Sequence, residues 1–392
     1  MQKAKKKILL LSWAIPPTIG GSSYVSYELA KGFSKDYLIL VGGKKLFKKV
    51  EPIFREENKP AVYYLNSEIN IKGHGDRFFK LFRYLLLPFL FIKLIYIARK
   101  EEITDFLVTF PDEYYLILGH LSAKLLNKKL HLYFHNTYLE NRNGLALTFA
   151  RFYQNVVFEH CSNFFTMSEG MTTFYRRNYP GLQAKVSTLP HTFSAYLPIE
   201  SKISDQVFKF ILFGTFNHSN IESTKRLLMV LSKVENVEVD IYTPINQSVL
   251  KYKWNLDVEV LGCNYHLSDP SKDIHLLIQK YDGCILTHGF TGGYSDDEYK
   301  TIFPTRTIPM MLSGRPILAH SPPDCFLSEF IEKNNVAMLI TTMDLRKIED
   351  SIRQFIRSFE LRTQFVNNSR NALSYFYGKN VVEYLKKTIG ED

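Results

Sequence analysis

Cysteine is scarce in this sequence: the 392 residues include only four, at positions far apart along the chain. No two of them form a C-x-x-C pair, so the spacing gives no support to a metal knuckle or a dithiol redox centre. Scattered cysteines of this kind are typical of a reducing compartment. The sequence therefore predicts a cytoplasmic protein. The four cysteines are Cys161, Cys263, Cys284 and Cys325.

A long uncharged apolar run is also missing. The most apolar segment, residues 78–100, contains five charged residues, and Pro88 interrupts its longest charge-free stretch. A bilayer-spanning helix needs about 20 apolar residues, so this segment does not predict a span. All five charges are basic. The segment suits helices that lie on an anionic membrane, which we favour, or helices packed on a sheet whose basic side chains reach water.

Several recognition signatures are absent. The sequence has no zinc-finger spacing, no RNA-recognition signature and no long basic helix, which disfavours nucleic acid as a partner. It has no G-x-G-x-x-G segment followed by an acidic strand end, so an NAD-linked activity gains no support. No two acids stand out at matching strand ends, which disfavours glycoside hydrolysis by a carboxylate pair.

The net positive charge of the sequence lies entirely in its first half. Residues 1–200 contain 27 Lys and Arg against 16 Asp and Glu, a net charge of +11, whereas residues 201–392 contain 22 against 23, a net charge of −1. Such an asymmetry indicates an anionic partner for the first half. A membrane surface, a phosphorylated acceptor and nucleic acid are the candidates, and nucleic acid is the weakest of them.

The chain is long enough for two α/β domains with separate cores. Strand and helix patterns alternate, which is typical of doubly wound parallel sheets. We predict domains over residues 1–200 and 206–358, a polar linker over 194–206, and final helices over 359–392 that cross back to the first domain. Predicted strands lie at residues 8–12, 37–41, 105–109, 130–134, 163–167, 185–189, 208–213, 237–242 and 258–261, and predicted helices include 22–33, 222–232 and 268–280.

The most informative stretch is residues 303–319. It reads as a loop, a short helix that Thr305 or Thr307 can cap, a stop at Gly314 and a buried strand. Free backbone N–H groups at the start of a helix, together with the fork-shaped cation of Arg306, suit a phosphate group. The alternative is a plain connection between a helix and a strand.

Other polar groups lie where predicted strands end. Gly20 and Gly21 form a loop after the first strand that lets a ligand come close to the backbone. His135 and Asn136 follow the strand 130–134, at the edge where open α/β sheets bind ligands. Ser168 and His191 follow the next two predicted strands, and Ser168 also suits a helix cap. Gly214 and Thr215 follow the first strand of the second half.

This ordered set of segments resembles the GT-B glycosyltransferases, especially the retaining family four. The resemblance implies an α/β GT-B fold of two Rossmann-like doubly wound domains facing a central cleft. It implies transfer of a sugar from a nucleoside-diphosphate sugar to a saccharide or lipid-linked saccharide, with retention and without a metal or other cofactor. It implies that His135 is catalytic and that Asn136, Ser168 and His191 contact the acceptor or sugar. The implied donor site consists of Gly20, Gly21, Gly214, Thr215, Thr305, Arg306 and Thr307.

The sequence departs from the family pattern at the donor site. Arg306 stands where the family usually has Lys, Thr215 and Asn220 stand where it has Arg and Lys, and Pro309 stands where an acid binds the ribose. These departures favour, as the alternative, a GT-B-like protein that binds a sugar nucleotide or a partner without turnover. Residues 295–298 could be taken for an acidic metal motif, but a solvated loop is the preferred interpretation, and Lys300 is a further candidate for the diphosphate.

Overall fold

The computed structural model describes residues 6–18, 21–45, 53–54, 56–68, 82–199, 206–268, 274–291 and 295–390. The chain forms two compact units. One consists of Met1–Ser194 with Tyr377–Asp392, and the other of Ala195–Phe376. Among the described residues, no helix has the length and apolar character that a bilayer crossing requires.

The first unit contains a seven-stranded parallel sheet in the order β3-β2-β1-β4-β5-β6-β7. Its central strands are apolar runs that are buried along their whole length, as expected for a parallel sheet covered on both faces. The strands are β1 (Ile8–Ser12), β2 (Leu38–Lys45), β3 (Ala61–Glu68), β4 (Asp105–Phe110), β5 (Lys129–Phe134), β6 (Cys161–Thr166) and β7 (Val186–Thr188).

The helices of the first unit connect consecutive parallel strands. They are α1 (Gly21–Lys31), α2 (Leu87–Lys100), α3 (Glu113–Leu125), α4 (Gly144–His160) and α5 (Glu169–Asn178). Residues 82–85 are also helical. Side-chain caps stabilise the N-termini of α3 and α5. Asp112 accepts a hydrogen bond from the backbone N–H of Tyr115, and Ser168 accepts one from that of Met171. Helix α1 begins at Gly21, one residue before Ser22.

The second unit contains a six-stranded parallel sheet in the order β10-β9-β8-β11-β12-β13. Its strands are β8 (Phe208–Phe213), β9 (Val237–Thr243), β10 (Asn264–Leu267), β11 (Gly283–Thr287), β12 (Ile317–His320) and β13 (Met338–Ile340). Its helices are α6 (Ile221–Leu231), α7 (Gln247–Trp254), α8 (Ile274–Ile278), α9 (Asp296–Thr301), α10 (Thr307–Leu312), α11 (Phe326–Asn334), α12 (Leu345–Arg357) and α13 (Phe359–Ala372). This strand order is the Rossmann order.

The last helix, α14 (Gly378–Ile389), belongs to the first unit. Its buried residues Val381, Leu385 and Ile389 join Leu29 and Phe33 in one apolar cluster. Helix α13, by contrast, stays with the second unit. The tail therefore divides between the two units after Phe376.

Two predicted elements of the second unit differ from the structure. Residues 258–261 form a turn, and the strand lies at Asn264–Leu267. The apolar pattern arises because Val258 is buried in the core, while the backbone turns at Gly262, whose φ is +64°. The helix predicted over 268–280 is shorter, with α8 at Ile274–Ile278 and residues 269–273 outside the described ranges.

Candidate functional site

The sheet of the second unit reverses its order of connection between β8 and β11. At such a point the loops after the two strands turn to opposite sides and leave a crevice at the carboxyl edge, where open α/β sheets bind ligands. Arg306 occupies this place. Its Nη2 donates to the carbonyl of Thr287 at 2.6 Å, and its Nη1 donates to the carbonyl of Phe213 at 3.4 Å. The guanidinium therefore bridges the last residues of β11 and β8.

Arg306 has no carboxylate partner among the described residues. Its Nε is buried and without a hydrogen-bond partner in this part of the chain. Burial lowers the pKa of Arg306 to about 10, so the guanidinium remains charged at neutral pH. Arg306 is half-buried, so its charge is partly removed from water and favours a compensating negative charge, and the planar fork of arginine matches phosphate oxygens. The arrangement can bind an anionic ligand.

Two glycines allow the loops of the crevice to come close together. Gly214 follows β8 with a φ of +112°, a conformation that side-chain-bearing residues rarely adopt, and a Cβ there would lie 3.6 Å from Arg306 Nη1. Gly289 follows β11, and a Cβ there would lie 2.3 Å from the carbonyl oxygen of Ser219. The loops after β8 and β11 are thus in direct backbone contact beside Arg306.

The two threonines near Arg306 do not cap the helix, contrary to the prediction. Arg306 itself is the N-cap residue of α10, with helical φ and ψ of −69° and −15°, and no side chain caps this end. The backbone N–H of Thr307 instead donates to the carbonyl of Pro304. Thr305 lies half-buried in the preceding turn, and Thr307 is buried with its Oγ1 unpaired among the described residues.

Other polar residues of the second unit that could approach a diphosphate have protein partners or face solvent. Lys300 forms an ion pair with Asp324 at 2.9 Å, and Lys225 forms one with Glu222 at the same distance. The Nδ2 of Asn220 donates to the carbonyl of Thr215, which closes the loop after β8. The side chain of Thr215 is exposed.

Arg226 is a cation that the sequence analysis did not select. It lies on α6, where its Nη1 contacts His320 Nε2 at 3.1 Å at the end of β12, and its guanidinium carbon lies 4.9 Å from the ring centre of Phe290. His320 Nδ1 donates to the carbonyl of Ile340, so Nε2 is free to accept from Arg226. Helical periodicity was the signal that could have indicated Arg226, because Arg226 lies on the same helix face as the buried Ser223 and Val230.

The acidic segment 295–298 is not a loop. Ser295 caps α9 by accepting a hydrogen bond from the backbone N–H of Asp297, and Asp296, Asp297 and Glu298 form the first turn of that helix. Acids stabilise the start of a helix, which explains their position. Within the described ranges, no group of three or more His, Cys, Asp or Glu residues comes together as a metal site.

The first unit brings two histidines to the carboxyl edge of its sheet. His135 follows β5, and His191 lies beyond β7; both are buried. None of their four ring nitrogens has a partner in the described structure. Burial lowers the pKa of each to about 3, and the nearby His191 lowers that of His135 further. Each neutral ring therefore offers one N–H donor and one acceptor nitrogen to a polar ligand.

The comparisons with known proteins give matches among solved structures only: no family model and no curated protein matches the sequence. HepE of Anabaena in complex with UDP-glucose superposes with a TM-score of 0.71 at 15% identity, over 98% of this chain and 99% of HepE. Sucrose-phosphate synthase of Thermosynechococcus elongatus superposes with a TM-score of 0.68 at 12% identity, over 97% of this chain and 98% of the synthase. A structure assigned as a UDP-N-acetylglucosamine 2-epimerase of Listeria monocytogenes superposes with a TM-score of 0.60 at 10% identity, over 98% of this chain and 96% of that structure.

The chain has the GT-B fold. The predicted class of two Rossmann-like doubly wound domains is thus confirmed by the two parallel sheets and by structures matched along nearly the whole chain. The glycosyltransferase resemblance of the sequence agrees with HepE, with sucrose-phosphate synthase and with a lipopolysaccharide outer core galactosyltransferase, WaaB.

Within this GT-B fold, the residues selected from the sequence fall into two groups. In the second unit, Gly214, Thr215, Thr305, Arg306 and Thr307 surround the crevice. The first unit contributes the remaining selected residues, which are His135, the half-buried Asn136, His191, Ser168 and the exposed Gly21. Ser168 already caps α5 through its Oγ. Gly20 lies outside the described residues.

Proposed function

We propose that this protein is a glycosyltransferase that moves a sugar from a nucleoside-diphosphate sugar to a hydroxyl acceptor. The observation that carries the proposal is Arg306, a half-buried cation whose Nε is buried and which has no carboxylate partner among the described residues, held at the crevice of a Rossmann-ordered sheet. A nucleoside diphosphate supplies the missing negative charge. The bound UDP and UDP-glucose of HepE support the same class of ligand for a similar fold.

The donor's diphosphate is the leaving group in this proposal. Arg306 stabilises the charge that develops on it, and the exposed backbone around Gly214 lets the phosphate approach. Arg226 adds a second positive charge at the same carboxyl edge, where His320 and Phe290 hold it. We propose that these arginines supply the charge stabilisation for the diphosphate, without a metal ion.

The sugar or the acceptor is contacted by His135, with His191 and Asn136 beside it on the first unit's sheet edge. Because the pKa of His135 is about 3, its imidazole is neutral at physiological pH. It therefore orients hydroxyl groups by hydrogen bonding and does not compensate a negative charge. We propose transfer with retention at the anomeric carbon, to a saccharide or lipid-linked saccharide acceptor of cell-envelope polysaccharide synthesis, at the inner face of the membrane. The net charge of +11 over residues 1–200 supports an anionic surface or acceptor for this half.

The first experiment measures thermal stabilisation by UDP, GDP, ADP, CDP and dTDP without metal. We expect one diphosphate to raise the melting temperature, because a ligand that binds only the folded state stabilises it. Its sugar conjugate is then incubated with the protein, and NMR follows release of the diphosphate and the anomeric configuration of the product. His135→Ala should keep the stabilisation and lose turnover, whereas His160→Ala, a change at an exposed histidine, should keep both.

The outcomes separate the alternatives. Stabilisation by a diphosphate without any turnover of its sugar conjugate would favour the non-catalytic binding protein. Conversion of the donor into an epimer would move the assignment to the chemistry named for the Listeria structure. If none of the five diphosphates raised the melting temperature, the assignment of the crevice as a nucleotide site would be wrong.

A further inference from the structure

Exposed apolar side chains of the first unit are concentrated on one helical layer. Among its described residues, every large apolar side chain with high exposure, except Tyr384, lies on residues 82–85 or on helices α2, α3 and α4. Exposed apolar side chains concentrated in one region indicate a site of interaction. These residues are Phe82, Tyr84, Leu85, Phe89, Ile92, Tyr96, Leu121, Leu125, Leu145, Phe149 and Phe152.

Helix α2 and the turn before it carry the first ridge. Leu85 is 70% exposed, Phe89 65%, Ile92 68% and Tyr96 65%, so the spacing alternates between four and three residues. Side chains at this spacing share one face of a helix. The opposite face, with Leu90 and Leu94, is buried in the unit. The sheet is therefore already covered by α2, and the outer apolar face has no partner among the described residues.

Helix α4 carries a second ridge, which the sequence analysis did not single out. Leu145 is 90% exposed and Phe152 69%, and Phe149 lies between them on the same face. Helix α3 lies next to α4, because His120 Nδ1 contacts Tyr153 Oη at 2.8 Å. Leu125 of α3 adds a side chain that is 62% exposed. The exposed apolar face of this layer, which we call the apolar face, thus extends over three helices.

The charged residues around the apolar face are mostly basic. In residues 82–160, which the structure describes completely, six basic side chains are exposed against two acidic ones, Glu102 and Glu159. The exposed basic residues are Arg99, Lys100, Lys124, Lys128, Lys129 and Arg151. Two other basic residues of the apolar segment have protein partners: Arg83 pairs with Asp112, and Lys93 donates to carbonyls of β3. The positive charge near the face therefore extends beyond α2.

We propose that the apolar face binds the surface of a bilayer that contains anionic lipid. The two ridges of aromatic and aliphatic side chains can enter the interfacial region, and the exposed Lys and Arg residues contact the headgroups. A protein partner would need a surface complementary to the ridges, whereas lipid adapts to them. The proposal names a partner for the proposed transferase but rests on the geometry of the first unit alone.

The experiment is vesicle flotation of the whole protein, with phosphatidylcholine vesicles and with vesicles containing 30% phosphatidylglycerol as a chosen composition. The variants are F89S/I92S on α2 and L145S/F152S on α4. We expect the wild type to bind the anionic vesicles more tightly, and we expect each pair of substitutions to weaken binding at least tenfold, because apolar area no longer leaves water. The control Y252S/V260S changes equally exposed residues of the second unit and should bind like the wild type.

Salt and oligomeric state decide between lipid and other occupants of the apolar face. Raising the salt concentration should weaken binding to the anionic vesicles, since exposed charges are screened. Absence of vesicle binding by the wild type would overturn the proposal, and so would binding of F89S/I92S and L145S/F152S that is as tight as that of the wild type. So would a dimer in solution that the same substitutions dissociate, because a second copy would then cover the face. Donor binding, measured separately by thermal stabilisation, is expected to be unchanged in these variants.

Discussion

At the scale of single residues, the structure separates cations that have protein partners from cations that do not. Lys300 and Lys225 both pair with carboxylates, Asp324 and Glu222 respectively. Among the described residues, the hydrogen-bond partners of Arg306 are backbone carbonyls, and its pKa is lowered because water is removed from the charge. A partly desolvated charge with no counter-ion in this part of the chain is costly for folding, so its presence at a sheet crevice indicates a ligand.

Replacement of Arg306 tests this assignment directly. Arg306→Ala should weaken binding of the diphosphate about 30-fold, which corresponds to about 2 kcal/mol for a charge-assisted hydrogen bond. Arg306→Lys should recover part of the affinity, because lysine keeps the charge but lacks the planar fork. Isothermal titration calorimetry measures both. Arg357→Ala, at an exposed position at the end of α12, is the control, and an equal loss in this variant would contradict the assignment.

At the scale of elements, the return of α14 to the first unit is a matter of packing. The helix buries Val381, Val382, Leu385 and Ile389 against α1. The backbone N–H of Gly378 donates to the carbonyl of Phe193, which fixes the start of the helix. The apolar spacing of the tail predicted amphipathic helices, but the spacing is the same whichever unit they cover. Only the partner surface places α13 with one unit and α14 with the other.

Truncation of a buried side chain of α14 tests its contribution to stability. Leu385→Ala should reduce the free energy of unfolding by about 2–5 kcal/mol, because it removes apolar contacts and leaves a cavity in the cluster. Chemical denaturation followed by circular dichroism measures the loss. The neighbouring Tyr384 is 40% exposed, and Tyr384→Ala should have a much smaller effect. Similar losses in the two variants would show that α14 does not depend on this face.

The boundaries of helices and strands were predictable from the sequence where the buried apolar residues span the same range as the backbone hydrogen bonds of the element. Strand β8 lies exactly where the apolar run Phe208–Phe213 places it, and α6 begins one residue before its predicted start. The predicted strand at 258–261 was wrong because Val258 is buried in the core although its backbone lies in a turn. A buried apolar residue gives the same sequence pattern in a turn as in a strand.

At the scale of the whole molecule, buried neutral histidines link stability to pH. The pKa values of His135 and His191 are about 3, and those of His288 and His320 are about 4, because burial disfavours the charged ring in each. An unfolded histidine has a pKa near 6.5. The unfolded chain therefore binds more protons between these values, so stability is fully present above about pH 6.5 and falls as the pH falls.

Removal of one buried histidine should make the protein less sensitive to acid. For His135, with folded and unfolded pKa values of about 3 and 6.5, the loss of stability from pH 7 to pH 5 amounts to about 2 kcal/mol. In His135→Gln, the difference in unfolding free energy between these two pH values should be smaller by that amount. Urea unfolding at both pH values measures it, and the exposed His160→Gln should behave like the wild type. An unchanged difference in His135→Gln would mean that His135 has the same pKa in the folded and unfolded protein.

The sequence by itself determined the fold class, because alternating apolar runs are local patterns. It also predicted candidate site residues, with Gly214 and His135 at strand ends and Arg306 at the start of a helix, before any contact was known. Only the tertiary structure decided which cations have protein partners: Lys300 pairs with Asp324 and Arg226 contacts His320, and both partners come from other elements of the fold. It also decided which apolar residues of α4 remain outside the core, because exposure depends on the elements that pack around a helix.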